Sequence, residues 1–127
     1  MTMDAPLSPP PRRHGWFTAR QGARIVHARH WPPRFDVSAT ARLPHANLHR
    51  LARAVRQDLW RKLQGLRGFS PVVEIERQGD DLSIRAGGRL HDRQFPPDVE
   101  ERIRDLLHSA DARARWLSWA QDDRTRT

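Results

Sequence analysis

Arginine is the residue type whose spacing in this chain suits a chemical role. Arginines recur between Pro44 and Leu66 on the side opposite a run of leucines, and more of them precede this stretch. Arginines on such a face contact the phosphate backbone of a nucleic acid and position a protein on it, but they carry no sequence information. The candidate partner-binding residues are Arg50, Arg53, Arg56, Trp60, Arg61, Arg12 and Arg13. The alternative for this set is a solvated helix face without a specific partner.

The positive charge of the chain is concentrated in its first half. Its net charge is +8, and residues 1–69 hold 13 basic and three acidic residues, against ten and twelve in residues 70–127. This asymmetry favours an anionic partner. We expect a small non-catalytic binding protein that contacts an anion, above all the nucleic acid backbone, through the helix face and the basic N-terminal tail. The alternative is an accessory or adaptor protein that binds another protein through Trp16, Phe17 and Trp31, with the charge incidental.

Histidines and carboxylates show no pattern typical of a catalytic or metal site. The two closely spaced histidine pairs are His45 with His49 and His27 with His30. Neither pair has a neighbouring acid to supply a third ligand. Glu74 and Glu76 share one face of a predicted strand, but nearby arginines would keep both ionised. The chain also has no glycine-rich phosphate loop and no nucleophile motif. We therefore expect no enzymatic activity, no metal and no cofactor.

The elements that position the arginines begin with one long helix. Apolar residues recur three and four apart over residues 44–66, which predicts an amphipathic helix. They are Leu48, Leu51, Ala52, Val55, Leu59, Leu63 and Leu66. Strict alternation over residues 35–43 predicts a strand, and residues 71–77 and 82–86 predict a hairpin that ends at Gly87 and Gly88. Two short helices are predicted after Pro96.

The order β-α-β-β-α-α predicts an α+β fold, a small two-layer sandwich with a three-stranded sheet and its helices on one face. Residues 34–121 form the single predicted domain. Residues 1–33 hold six of the ten prolines and are predicted to be a disordered basic Pro/Arg-rich tail, with a short edge strand at residues 23–28 as the one exception. Residues 122–127 are predicted to be a disordered C-terminus.

Three further features of the sequence concern oligomerisation and cellular location. The open edges of a three-stranded sheet make a homodimer reasonable. The chain has no cysteine, which fits a reducing compartment, and no apolar run long enough to span a membrane. We therefore expect a cytoplasmic protein that does not enter a membrane.

Overall fold

A computed structural model describes residues 9–91 and 96–121, which form a six-stranded antiparallel sheet and three helices. The strands are β1 (Arg12–Arg13), β2 (Trp16–Gln21), β3 (Arg24–Ala28), β4 (Val37–Pro44), β5 (Ser70–Gln78) and β6 (Asp81–Arg89). The helices are α1 (Leu48–Leu63), α2 (Val99–Leu107) and α3 (Ala110–Trp119). The strands lie in the order β1-β2-β3-β5-β6-β4, so β1 and β4 form the two edges.

The prediction of a three-stranded sheet is wrong, because residues 12–28 supply three further strands. From sequence these residues were assigned to the disordered tail of residues 1–33, except for the short edge strand at residues 23–28. The structure does not describe residues 1–8 of that tail, nor the predicted disordered segment 122–127. The β-α-β-β-α-α order describes only the chain after residue 36, and it omits the strands that precede it.

Tight turns explain how the arginine-rich N-terminal segment joins the sheet. Arg13 pairs with Trp16, so His14 and Gly15 form a two-residue turn with φ of 52° and 83°. Positive φ at both positions is the requirement of a type I′ hairpin. Gly22, with φ of 59°, begins the second turn, after which β3 pairs with both β2 and β5. The segment predicted as an edge strand is therefore an interior strand.

The pair Gly87 and Gly88 lies inside β6 and does not end it. Strand β6 runs to Arg89 with β4 on one side and β5 on the other. A Cβ built at Gly87 would overlap the carbonyl oxygen of Val37 and would lie 2.7 Å from the Cα of Ser38. Glycine here permits the close approach of neighbouring backbones, which is one reason for glycine inside a strand.

Helix α1 has the predicted apolar face and begins four residues after Pro44. Pro44 is the last residue of β4, and Asn47 caps the helix by accepting a hydrogen bond from the Arg50 backbone N–H at 3.0 Å. A side-chain oxygen at this position satisfies one of the free N–H groups of the first turn. The buried residues of the helix are Leu48, Leu51, Ala52, Val55, Leu59 and Leu63.

Helices α1 and α2 cover one face of the sheet, and α3 packs against both of them. Helix α1 contacts β3, β5 and β6, α2 contacts β4 and β6, and the helices contact one another. The buried indole of Trp116 ties α3 to α1, because its Nε1–H donates to Asp58 Oδ2 at 2.8 Å. On the opposite face a smaller apolar cluster around Val72 lies under Trp31 and Phe35. The homodimer stays a prediction, now with β1 and β4 as the strands that could pair.

Candidate anion-binding cleft

A cleft of about 730 Å³ lies between the β1–β2 hairpin and α1. Its lining residues are Pro11, Arg13, His14, Trp16, Thr18, His27, His49, Arg53 and Arg56. They come from two hairpin strands, the turn between them, β3 and α1. Within the described part of the chain, this lining contains three arginines and three histidines and no carboxylate. We call this set of residues the basic cleft.

His27 occupies the floor of the basic cleft and is neutral. It lies directly opposite Thr18 in the β2–β3 pairing and is 4% exposed. Arg56 donates a hydrogen bond to His27 Nε2 at 2.9 Å. A guanidinium can only donate, so Nε2 is unprotonated and the ring proton is on Nδ1. Nδ1–H then donates to Thr18 Oγ1 at 2.7 Å, which leaves the Thr18 hydroxyl proton free to be donated elsewhere.

Burial and neighbouring cations together keep this neutral state. The pKa of His27 is lowered from 6.5 to about 3, mainly by burial and in addition by the charges of Arg56, Arg53 and His49. Burial also lowers the pKa of the Arg56 guanidinium, and Arg53 and Arg29 lower it further by repulsion. The pKa of His49 is lowered by partial desolvation and then by Arg20. The cleft thus concentrates positive charge whose mutual repulsion no carboxylate of its lining relieves.

Trp16 holds the arginine and the histidine in place. Its ring stacks on His27 with the centroids 5.1 Å apart and the planes 12° apart. The Cζ of Arg56 lies 4.4 Å from the Trp16 centroid, and the Cζ of Arg29 lies 5.7 Å from it. Cation–π attraction of this kind orients a guanidinium without neutralising it. Arg56 is therefore fixed by two contacts, and neither of them cancels its charge.

A second, smaller groove of about 290 Å³ adjoins the basic cleft between α1 and α3. Arg53 and Arg56 line both concavities, so these two side chains lie at the boundary between them. The lining of the groove also includes Arg61, Arg115 and Trp119. We call it the α1–α3 groove.

Four of the seven candidate residues predicted from sequence line the basic cleft or the α1–α3 groove, and three line neither. Arg13, Arg53 and Arg56 line the basic cleft, whereas Arg61 lines only the α1–α3 groove. The other three predicted residues, Arg12, Arg50 and Trp60, line neither concavity. Arg12 lies over the Phe17 ring at 5.5 Å, and Arg50 donates to the Gln121 carbonyl oxygen at 3.5 Å. Trp60 is 47% exposed on the outside of α1.

Sequence reasoning missed the polar residues of the cleft. Trp16 and Thr18 fall in the predicted disordered tail, and His27 falls in the predicted edge strand at residues 23–28. His27 and His49 were considered only as metal ligands. Two signals could have found them, namely the His14–Gly15 turn dipeptide and the apolar run around residue 26. The pairing of His27 with Arg56 had no local signal, because 29 residues separate them.

The remaining histidines do not form a further site. His30 Nδ1 lies 2.6 Å from Ser70 Oγ, at the margin of the sheet. Among residues 9–91 and 96–121, no group of three or more histidine, aspartate or glutamate side chains is placed to hold a metal ion. In the same part of the chain, no helix combines the length and the apolar character that a membrane span requires.

Comparison with known proteins gives no assignment. No protein-family model, no curated protein and no solved structure matches this chain. The basic cleft and the groove beside it are therefore the features of this chain that bear on its function.

Proposed function

We propose that this is a small non-catalytic protein that binds nucleic acid, mainly at phosphate, in the basic cleft. The observation that carries the proposal is a concave site with three arginines, three histidines and no carboxylate in its lining. Phosphate groups are the anions that arginine forks match, and the nucleic acid backbone supplies them at regular spacing. Since the chain lacks cysteine, we place this function in the reducing cytoplasm.

Electrostatics of the unliganded cleft support an anionic ligand. The lowered pKa of Arg56 reflects the cost of holding a charged group that is partly buried beside Arg53 and Arg29. A bound phosphate would replace that repulsion with attraction and with charge-assisted hydrogen bonds. The partial burial of Arg56 also limits screening by salt, so a contact there is stronger than one on an open surface.

Aromatic packing favours nucleic acid over the adaptor alternative. The adaptor hypothesis needs Trp16, Phe17 and Trp31 as anchors for a protein partner. Trp16 instead stacks on His27, and Phe17 lies 5.9 Å from Trp31 on the other face of the sheet. All three are partly buried by contacts within the chain. These rings therefore have less free surface to offer to a second protein.

The test compares Arg53→Gln with Arg50→Gln in a salt titration. Both arginines are exposed on α1, but only Arg53 lines the cleft. Binding of a short labelled oligonucleotide is measured by anisotropy at several salt concentrations. We expect wild-type affinity to fall steeply with salt, and Arg53→Gln to weaken binding and to reduce the slope of log K against log salt by about 0.7 to 0.9.

Arg50→Gln controls for the general loss of one positive charge from α1. We expect its affinity to stay near that of the wild type, with a nearly unchanged salt slope. Absence of binding at low salt would refute the nucleic-acid proposal. Equal losses in the two variants would show that the basic cleft is not the site.

A further inference from the structure

The α1–α3 groove is a second concavity whose lining is rich in arginine. It extends the basic cleft through the shared Arg53 and Arg56 and adds Arg61 and Arg115. The carboxylate in its lining, Asp58, already accepts hydrogen bonds from Trp116 Nε1 at 2.8 Å and from Arg115 at 3.0 Å. A ligand in the groove would therefore meet a surplus of positive charge.

Trp119 distinguishes this groove from a purely electrostatic surface. It lies at the end of α3, lines the groove and is 65% exposed, the larger exposure of the two exposed tryptophans in the described chain. Unlike Trp16, it has no ring partner or stacked cation among the described residues. An indole with a free face beside a row of arginines is the arrangement with which proteins bind single-stranded nucleic acid.

We propose that the ligand is single-stranded nucleic acid, which runs from the basic cleft into the α1–α3 groove and stacks a base on Trp119. This proposal rests on the proposed function and specifies its ligand. Arg53, Arg56 and Arg61 contact successive phosphates, while the base turns towards the indole. A duplex cannot make this contact, because its bases are stacked on one another and only their edges face the grooves. Stacking on one face of a base tolerates any sequence, so we expect little sequence preference.

The experiment combines two tryptophan variants with two single-stranded probes. The variants are Trp119→Leu and, as the matched control, Trp60→Leu, since Trp60 is also exposed on a helix but lines neither concavity. The probes are an oligothymidylate of about twelve nucleotides, a length within the usual site size, and an abasic oligomer with the same backbone. A duplex of equal length is the third ligand.

We expect Trp119→Leu to weaken oligothymidylate binding about ten-fold or more and to leave abasic binding unchanged. Trp60→Leu should match the wild type with every ligand. The wild type should prefer oligothymidylate to both the abasic oligomer and the duplex. Trp119→Phe, which retains an aromatic face, should recover part of the affinity lost in Trp119→Leu. Because Trp119 is exposed, none of these substitutions should lower the thermal unfolding midpoint appreciably.

The outcomes separate this proposal from the proposed function. If the wild type binds both single-stranded probes equally well and Trp119→Leu changes nothing, stacking is refuted while phosphate binding stands. Tighter binding of the duplex than of oligothymidylate would also refute it. If none of the three ligands binds at low salt, both proposals fail.

Discussion

Replacing His27 with glutamine should remove much of the acid sensitivity of this protein. His27 has a pKa of about 3 in the folded state, against 6.5 for the free side chain. Above pH 6.5 the ring is neutral in both states and does not affect stability. Below it the unfolded chain binds a proton that the folded chain does not bind, so the stability falls as the pH falls towards 3. Glutamine does not titrate, and its amide oxygen can still accept from Arg56.

The size of the effect follows from the lowered pKa. Each pH unit below 6.5 favours the unfolded state by about 1.36 kcal/mol, so acidification to about pH 5 costs about 2 kcal/mol from this residue. The ring is 4% exposed, so solvent screening reduces this figure little. Asp36 affects the stability only at lower pH. The pKa of this carboxyl group is lowered, so its stabilising effect is lost only as the pH falls below 3.8, the ordinary pKa of an aspartate.

Urea unfolding followed by tryptophan fluorescence at about pH 7 and about pH 5 measures this difference. We expect the wild type to lose about 2 kcal/mol more than His27→Gln between the two conditions. His49→Gln is the matched control, because His49 lines the same cleft but is exposed. Its pKa is also lowered, but solvent screens this effect at an exposed side chain, so the variant should keep most of the acid sensitivity of the wild type. Equal losses in the wild type and in His27→Gln would refute the assignment of a buried neutral imidazole bound to Arg56.

Two further predictions concern stability. Gly87→Ala should destabilise the fold by about 3 kcal/mol in urea unfolding, because the new Cβ would overlap the backbone of β4. Gly65→Ala is the control and should be nearly neutral, because a Cβ at that position has no neighbour within 4 Å. A neutral Gly87→Ala would contradict the close strand approach. Asp58→Ala should lower the free energy of unfolding by about 1–3 kcal/mol, because it leaves the buried Trp116 indole N–H unpaired. Arg115→Ala removes only an exposed ion-pair partner of Asp58 and should lower it by less than about 1 kcal/mol. Equal effects of these two substitutions would argue against the indole bond.

Local patterns predicted the parts of the fold in which one face is buried and the other is solvated. The leucine period of α1 and the alternation of β4 survive in the structure, because each of these two elements has one apolar face and one polar face. The turn at Gly79 likewise joins β5 to β6 as predicted. Such signals lie within a few residues of one another, so the sequence alone contains them.

Strand β3 escaped recognition as an interior strand because both of its faces are covered. Four of its five residues are buried, with Ile25 under the helices and Val26 in the cluster beneath Trp31 and Phe35. A strand covered on both faces loses the alternation that identifies a strand in sequence. Strand β2 is partly covered as well, so the N-terminal arginines were interpreted as a tail when they belong to the sheet.

Charge asymmetry, the arginine face of α1 and the apolar stripe that fixes the orientation of this helix can all be derived from the amino-acid sequence. Which of those arginines lie together depends on how the chain folds. The insertion of β3 between β2 and β5 brings His27 and Trp16 beneath Arg56, and the packing of α3 on α1 brings Trp119 into the groove beside Arg61. These contacts join residues that are distant along the chain. Periodicity reports only what is near in sequence, and the burial of the whole core selects the long-range pairings.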